Sequence, residues 1–367
     1  MFYELLYPLK SIFSPLNIFQ YITFRAAMSA ITALFISFLV GPVIIRQLKK
    51  KHIREIVRQN GPSTHLSKEG TPTMGGIIIL ISVVIPMLLW GKLSNIYTLI
   101  VLVATIWMGL IGFIDDYLKV VKKLKQGLVA KYKLIGQILF GLILGIIIYF
   151  SPHFKEFNSI TSIPFLKSAE IDMGIFYILF VTLVITGSSN AVNLTDGLDG
   201  LAAGLVGIIT LALSVISYIT GRVDFSNYLN TIYIPGTGEL TVYCMTLSGA
   251  LLGFLWYNCK PAEIFMGDTG SLFLGGVIGT IAVLIKKELL LVLLGGIFVV
   301  EALSVLIQVS YFKYTKKKYG EGKRVFLMAP IHHHFEMKGW AETKVVTRFW
   351  IIGILLALIS LSSFKIL

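Results

Sequence analysis

Five aspartates fall where a membrane protein rarely places charge. Asp115 and Asp116 close one apolar run, Asp196 and Asp199 follow another, and Asp268 opens a third. A carboxylate at membrane depth is costly, so its position is informative. Asp115 and Asp116 are adjacent, and on a helix they point about 100° apart, so they should serve different partners. Acids at a helix end beside Lys119 or Lys122 would be ordinary for an isolated pair; the three further aspartates at the same depth make it less so. The block Asn190-Ala-Val-Asn193-Leu-Thr-Asp196-Gly197-Leu-Asp199-Gly200 repeats its polar groups every third residue. If helical, that spacing lays a polar stripe along one face, and the glycines let a ligand approach the backbone.

Phe265-Met-Gly-Asp268-Thr-Gly270-Ser271 leads into an apolar run, with Asp268 placed to cap a helix. The same placement suits a divalent cation and a phosphate. A hard carboxylate favours Mg²⁺, which keeps water and phosphate oxygens as its other ligands, and a helix N-terminus offers free amides. His332, His333 and His334 are consecutive, so they cannot all face one metal; hydrogen bonds to an anion or a sugar suit them better than zinc. Lys68 and Thr73 precede another apolar run without the spacing of an ATP-binding loop, yet could reach a phosphate or a carboxylate. Glu301 falls within an apolar run with Gln308 beyond it; an interhelical hydrogen bond accounts for Glu301 as well as a site role does.

The elements that must position these residues follow from composition. The 367 residues are 56% hydrophobic and 14% charged, with a mean hydropathy of +0.82. An ordinary soluble domain carries about 25% charged residues, so the composition excludes a disordered chain and argues against a soluble globular one. Cys244 and Cys259 form no CxxC or zinc pattern, and the start of the chain shows no cleavable signal. Roughly 20 apolar residues cross a bilayer as a helix. Ten such runs are expected near 22–45, 74–91, 96–114, 132–150, 174–193, 201–220, 240–257, 269–285, 289–311 and 345–364. Residues 1–18 read as an interfacial helix, and 221–239, around Tyr233-Ile-Pro-Gly-Thr-Gly238, as a short outer hairpin. The expected fold is thus an all-α polytopic membrane protein forming a single domain over 1–367. Most of the 32 Lys and Arg fall in the connections after the first, third and ninth runs, which the positive-inside rule makes cytoplasmic, with both termini outside. The net charge of +13 is then topology and needs no nucleic acid. All five aspartates fall at the cytoplasmic surface.

These blocks together resemble the polyprenyl-phosphate N-acetylhexosamine-1-phosphate transferases. The resemblance covers nearly the whole chain, through Lys68 with Thr71-Pro-Thr-Met-Gly-Gly76, Asp115-Asp116, Asn190 to Gly200, Phe265 to Ser271 and Pro330-Ile-His-His-His-Phe-Glu336. The first and last blocks are most similar to the muramoyl-pentapeptide branch. The resemblance implies UDP-N-acetylmuramoyl-pentapeptide as donor, undecaprenyl phosphate as membrane acceptor and Mg²⁺ as cofactor, giving lipid I and UMP at a bacterial inner membrane. A homodimer is compatible with it. It further implies Asp115, Asp116 and Asp268 as catalytic, with Asp268 on the metal. Asn193, Asp196, Gly197 and Asp199 would hold uridine, with uracil against Phe265. Lys68, Thr73, Asn190, Gln308 and His332 to His334 would line the remaining donor surface, and Lys119 and Lys131 would contact phosphate. Two other readings remain. An N-acetylglucosamine-1-phosphate transferase would change only the donor. A proton-coupled transporter would place acids near the bilayer midplane in repeated halves, which this sequence does not show.

Overall fold

The computed structural model describes residues 1–51, 70–124, 127–166 and 169–365. It is almost wholly helical. Fourteen α-helices are described: α1 (Phe2–Leu6), α2 (Ile22–Lys50), α3 (Gly76–Trp90), α4 (Ile96–Asp116), α5 (Ala130–Phe150), α6 (Tyr177–Thr195), α7 (Leu201–Thr220), α8 (Val223–Tyr228), α9 (Glu239–Asn258), α10 (Gly267–Leu284), α11 (Glu288–Leu294), α12 (Gly296–Tyr319), α13 (Ile331–Met337) and α14 (Glu342–Ser362). Strands β1 (Ile160–Ser162) and β2 (Glu170–Asp172) form one antiparallel pair, with Ile160 opposite Asp172.

Helix α10 is the axis of the bundle. Every residue from Thr269 to Leu284 is buried, and α4 and α6 pack along it, while α2 packs on α9 and α9 on α7. Glycine makes the tightest crossings. A Cβ on Gly112 of α4 would fall 2.1 Å from the Asp268 carbonyl oxygen, and one on Gly76 of α3 would fall 2.1 Å from the Gly270 nitrogen. With no apolar driving force between helices in lipid, such small-residue contacts let backbones approach and pack. Helix α4 starts cleanly because the Asn95 side chain accepts the amides of Tyr97 and Thr98 at 2.9 and 3.1 Å.

Four expectations are revised. Nine described helices are long and apolar enough to cross a membrane; the second expected run gives α3, which has only 15 residues. At 1.5 Å per residue it spans about 22 Å. The non-helical residues before it are held by protein instead: Phe265 N donates to Pro72 O, Gly75 N to Phe265 O and Gly76 N to Met266 O, each at 2.8 Å. Irregular backbone is stable at such depth when buried in protein. The run at 289–311 is divided into α11 and α12 at Gly295. The expected hairpin at 221–239 is not a hairpin. It contains α8, and Ile234 N bonds to Thr220 O, the last residue of α7, at 2.9 Å. The strand pair lies in the preceding connection on the same face. Residues 1–18 are helical as expected, but Pro8 and Pro15 divide them into α1 and two 3₁₀ turns.

Candidate functional site at the shared helix ends

Three helices deliver the site because their directions alternate. The C-terminal end of α4 brings Asp115 and Asp116, the N-terminal end of α10 brings Asp268, and the C-terminal end of α6 brings Asn193. Carboxylate oxygens of Asp115, Asp116 and Asp268 lie within 4.8 Å of one another.

The adjacent pair does have different partners. Asp116, 4% exposed, caps α10 from outside. Its Oδ1 accepts the Asp268 amide at 3.1 Å, and its Oδ2 accepts the Thr269 amide at 2.8 Å and hydroxyl at 2.6 Å. This is an N-cap supplied by another helix, satisfying amides that α10 leaves open. Asp268 is therefore the second residue of a helix capped by Asp116 rather than its own cap. Asp115 instead faces the lysines. Its Oδ1 accepts the Leu128 amide at 2.7 Å, and its Oδ2 pairs with Lys119 at 2.5 Å and Lys133 at 3.1 Å. Those two ammoniums also reach Asp268 Oδ2, at 2.8 and 3.0 Å. Asp268 Oδ1 accepts from the Asn193 amide at 2.8 Å, which also donates to Ser271 Oγ at 2.8 Å. Every oxygen of the three carboxylates is thus engaged.

Charge and donor type show what this cluster can hold. Three carboxylates against two ammoniums leave one net negative charge among hard oxygen donors. That fits a small divalent cation such as Mg²⁺ on Asp268, with Asp115 and Asp116 oxygens in reach. With such an ion the cluster becomes net positive, as a phosphate site must be.

The other predicted residues fall in three places. Thr73 flanks the cluster: a Cβ on Gly267 would lie 2.7 Å from Asp116 Oδ2 and 3.1 Å from Thr73 Oγ1; Phe265 lies two residues before Gly267, and its ring is half-buried. Gly267 has φ +73°, so glycine makes this turn without strain. Asn190 is tied to buried Gln137 of α5 at 2.7 Å. Asp196, Gly197 and Asp199 form the turn from α6 to α7. The Asp199 amide donates to Glu342 Oε1 at 2.8 Å, and its Oδ2 accepts the Ala262 amide at 3.2 Å. Glu342 also pairs with Lys260 at 2.6 Å.

The histidines divide. His332 is fully buried, its Nδ1 3.1 Å from Glu301 Oε1, and a Cβ on Gly197 would fall 2.4 Å from its Nε2. The last cytoplasmic-type connection therefore packs directly on the α6–α7 turn. His333 Nδ1 lies 2.8 Å from Glu336, and His334 Nδ1 accepts the Leu327 amide at 3.1 Å. Gln308 serves the same connection, accepting the amides of Val325 and Phe326 at 3.0 and 2.9 Å.

Two positions need comment. Lys131 is exposed and does not join the carboxylates; Lys133, two residues on, takes that place. Lys68 lies outside the described residues. Beyond Lys133, the sequence reading missed Thr269, Gln137 and Glu342. Thr269 and Ser271 sit inside a block already singled out. Gln137, a lone amide in an apolar run, was the clearest signal passed over.

Helix ends that gather acids and lysines into one cluster, in a polytopic helical protein, suit charge neutralisation at a membrane surface, the chemistry a membrane transferase needs. The model of glycosyl transferase family 4 matches residues 98–286, and signature 1 of the phospho-N-acetylmuramoyl-pentapeptide-transferases matches residues 68–80. The chain is 55% identical over 366 residues to the phospho-N-acetylmuramoyl-pentapeptide-transferase of Thermodesulfovibrio yellowstonii, covering 100% of each. It is 52% identical over 366 residues to that of Endomicrobium trichonymphae and 53% over 368 residues to that of Chlorobium phaeobacteroides, again covering 100% of each. The chain belongs to glycosyl transferase family 4 and, within it, to the phospho-N-acetylmuramoyl-pentapeptide-transferases. It is an enzyme, a glycosyl-1-phosphate transferase.

Proposed function

We propose that the enzyme transfers phospho-N-acetylmuramoyl-pentapeptide from its UDP-linked donor to undecaprenyl phosphate, releasing UMP and forming lipid I for peptidoglycan, at the cytoplasmic face of a bacterial membrane. The observation that carries this reading is the cluster of Asp115, Asp116, Asp268, Lys119 and Lys133 at one layer of helix ends. Full-length identity to transferases of that name supports this donor class. The basic connections support a cytoplasmic position for this layer, where a soluble nucleotide and a lipid phosphate can meet.

An oxygen of the acceptor phosphate attacks the β-phosphorus of the donor; that P–O bond forms as the bond from the β-phosphorus to the UMP oxygen breaks. Such chemistry depends on positioning and charge neutralisation. Lys119 and Lys133, held by Asp115, turn their ammoniums toward the incoming phosphates. Asp115 also takes the proton of an acceptor that arrives monoprotonated. Asn193 orients Asp268. Asp116 fixes the N-terminus of α10, so that Asp268 stays in place while charge develops. Asp268 would hold Mg²⁺, which when bound would supply Lewis-acid polarisation of the pyrophosphate and charge relief for departing UMP. The α6–α7 turn with Asp196, Gly197 and Asp199, braced by His332, and the ring of Phe265 form the uridine side. Direct attack is favoured over a phospho-aspartate. It needs one in-line displacement at the β-phosphorus and fewer special groups than a covalent intermediate.

Purified enzyme with undecaprenyl phosphate and Mg²⁺ should release UMP from the muramoyl-pentapeptide donor, and EDTA should stop it. UMP from UDP-N-acetylglucosamine in preference would refute the donor assignment.

A further inference from the structure

At the opposite end of the bundle, the β1–β2 connection, α8 and the start of α11 enclose a pocket of about 320 Å³. That is the lower end of the ~300–1,000 Å³ range of small-molecule sites. Its inner wall carries Lys287, only 7% exposed. The Nζ donates to Ser162 Oγ at 3.0 Å and Thr231 Oγ1 at 2.9 Å, and lies 5.2 Å from the centre of the Phe364 ring. These partners are neutral, and among the described residues no carboxylate lies within 4.0 Å of this ammonium. The neighbouring Lys286 differs: it donates to Tyr177 OH at 2.7 Å, and that hydroxyl donates to buried Glu288. An ammonium has three donors, and Lys287 spends two on hydroxyls. Burial pulls the Lys287 ammonium down to about 8, against the opposing pull of buried Glu288 and then of Glu170.

The same pocket is lined by Glu170, which is exposed and acts electrostatically on Lys287. Asn227 and Asn230 add amide groups to the wall. Phe165 and Leu166, 36% and 56% exposed, form an apolar lip. The pocket therefore sets a cation inside, a carboxylate at the surface and hydrocarbon beside them.

We propose that this pocket binds an ethanolamine phosphate ester, its phosphate on Lys287 and its ammonium on Glu170. The ester is either an aminophospholipid headgroup with chains over Phe165 and Leu166, or a soluble glycerophosphoethanolamine. The site lies at the far ends of α5 and α10 from Asp268, so its variants should leave UMP release unchanged.

The test is native mass spectrometry of the purified full-length enzyme in detergent with phosphatidylethanolamine and phosphatidylglycerol of matched chains. Wild type should bind the ethanolamine lipid at least tenfold better. Lys287→Met should lose that binding, and Glu170→Gln should lose the preference while still binding phosphatidylglycerol. Competition by soluble glycerophosphoethanolamine identifies the free ester as a ligand; competition by the diacyl lipid alone identifies the membrane lipid. Equal binding of both lipids by wild type, or binding unchanged in both variants, overturns the proposal. Should Lys287→Met fail to fold, Glu170→Gln at an exposed position decides alone.

Discussion

Lys131 and Lys133 show how far a single residue can be read from sequence. Both lie in the first turn of α5, which opens at Ala130. Two residues apart on a helix is about 200°, so only one can face the carboxylates. The sequence shows that a basic residue belongs there, but not the phase of the helix, because packing against α4 and α6 sets that phase. Lys133→Met should lower turnover by about 10² to 10³, the cost of removing one preorganised charge partner. Lys131→Met should stay within about twofold of wild type. Steady-state UMP release on both variants decides; equal losses would contradict the geometry. The aspartates were legible because charge at an apolar boundary is rare, whereas the role of Asp116 as a cap for another helix depends on a crossing that no single sequence displays.

Helices were the most legible elements, since long apolar runs admit few other structures. Their ends were less so. Helix α3 is short because Pro72 to Gly76 bonds to Phe265 and Met266 instead of continuing a helix, and the pairing partner lies almost 200 residues away. The true strand pair at Ile160–Ser162 and Glu170–Asp172 lacks a two-residue turn signal. Close helix crossings carry their own prediction. Gly112→Ala would put a methyl where the Asp268 carbonyl now lies, 2.1 Å away. Backbone must move, so the variant should lose about 1–3 kcal/mol of stability and disturb Asp268 together with its cap. A thermal melt with a parallel UMP assay checks this; a wild-type melting temperature would mean that α4 and α10 do not cross so tightly. Gly187, with nothing within 4 Å of its would-be Cβ, is the matched control.

At the scale of the whole molecule, charge asymmetry between connections fixed the expected sidedness, and the helix directions make it a single testable statement. The two cysteines are natural probes. Cys244 is buried within α9, while Cys259 is exposed just beyond its C-terminal end, on the side of Asp115 and Asp268. A membrane-impermeant maleimide should label Cys259 in inverted membrane vesicles and not in right-side-out spheroplasts, and a Cys259→Ser variant should lose the signal. Labelling from outside would reverse the topology and take the site away from its soluble donor.

The most direct test of the central claim, that phosphoryl transfer occurs at the carboxylate–lysine cluster around Asp268, is UMP release by Asp268→Asn. The assay uses the muramoyl-pentapeptide donor, undecaprenyl phosphate and saturating Mg²⁺, beside wild type of equal melting temperature. The substitution keeps the shape and the Asp116 cap of the α10 amides while removing the charge and one acceptor oxygen, so turnover should fall by about 10² or more. Turnover within a few-fold of wild type, from protein that melts normally, would contradict the account.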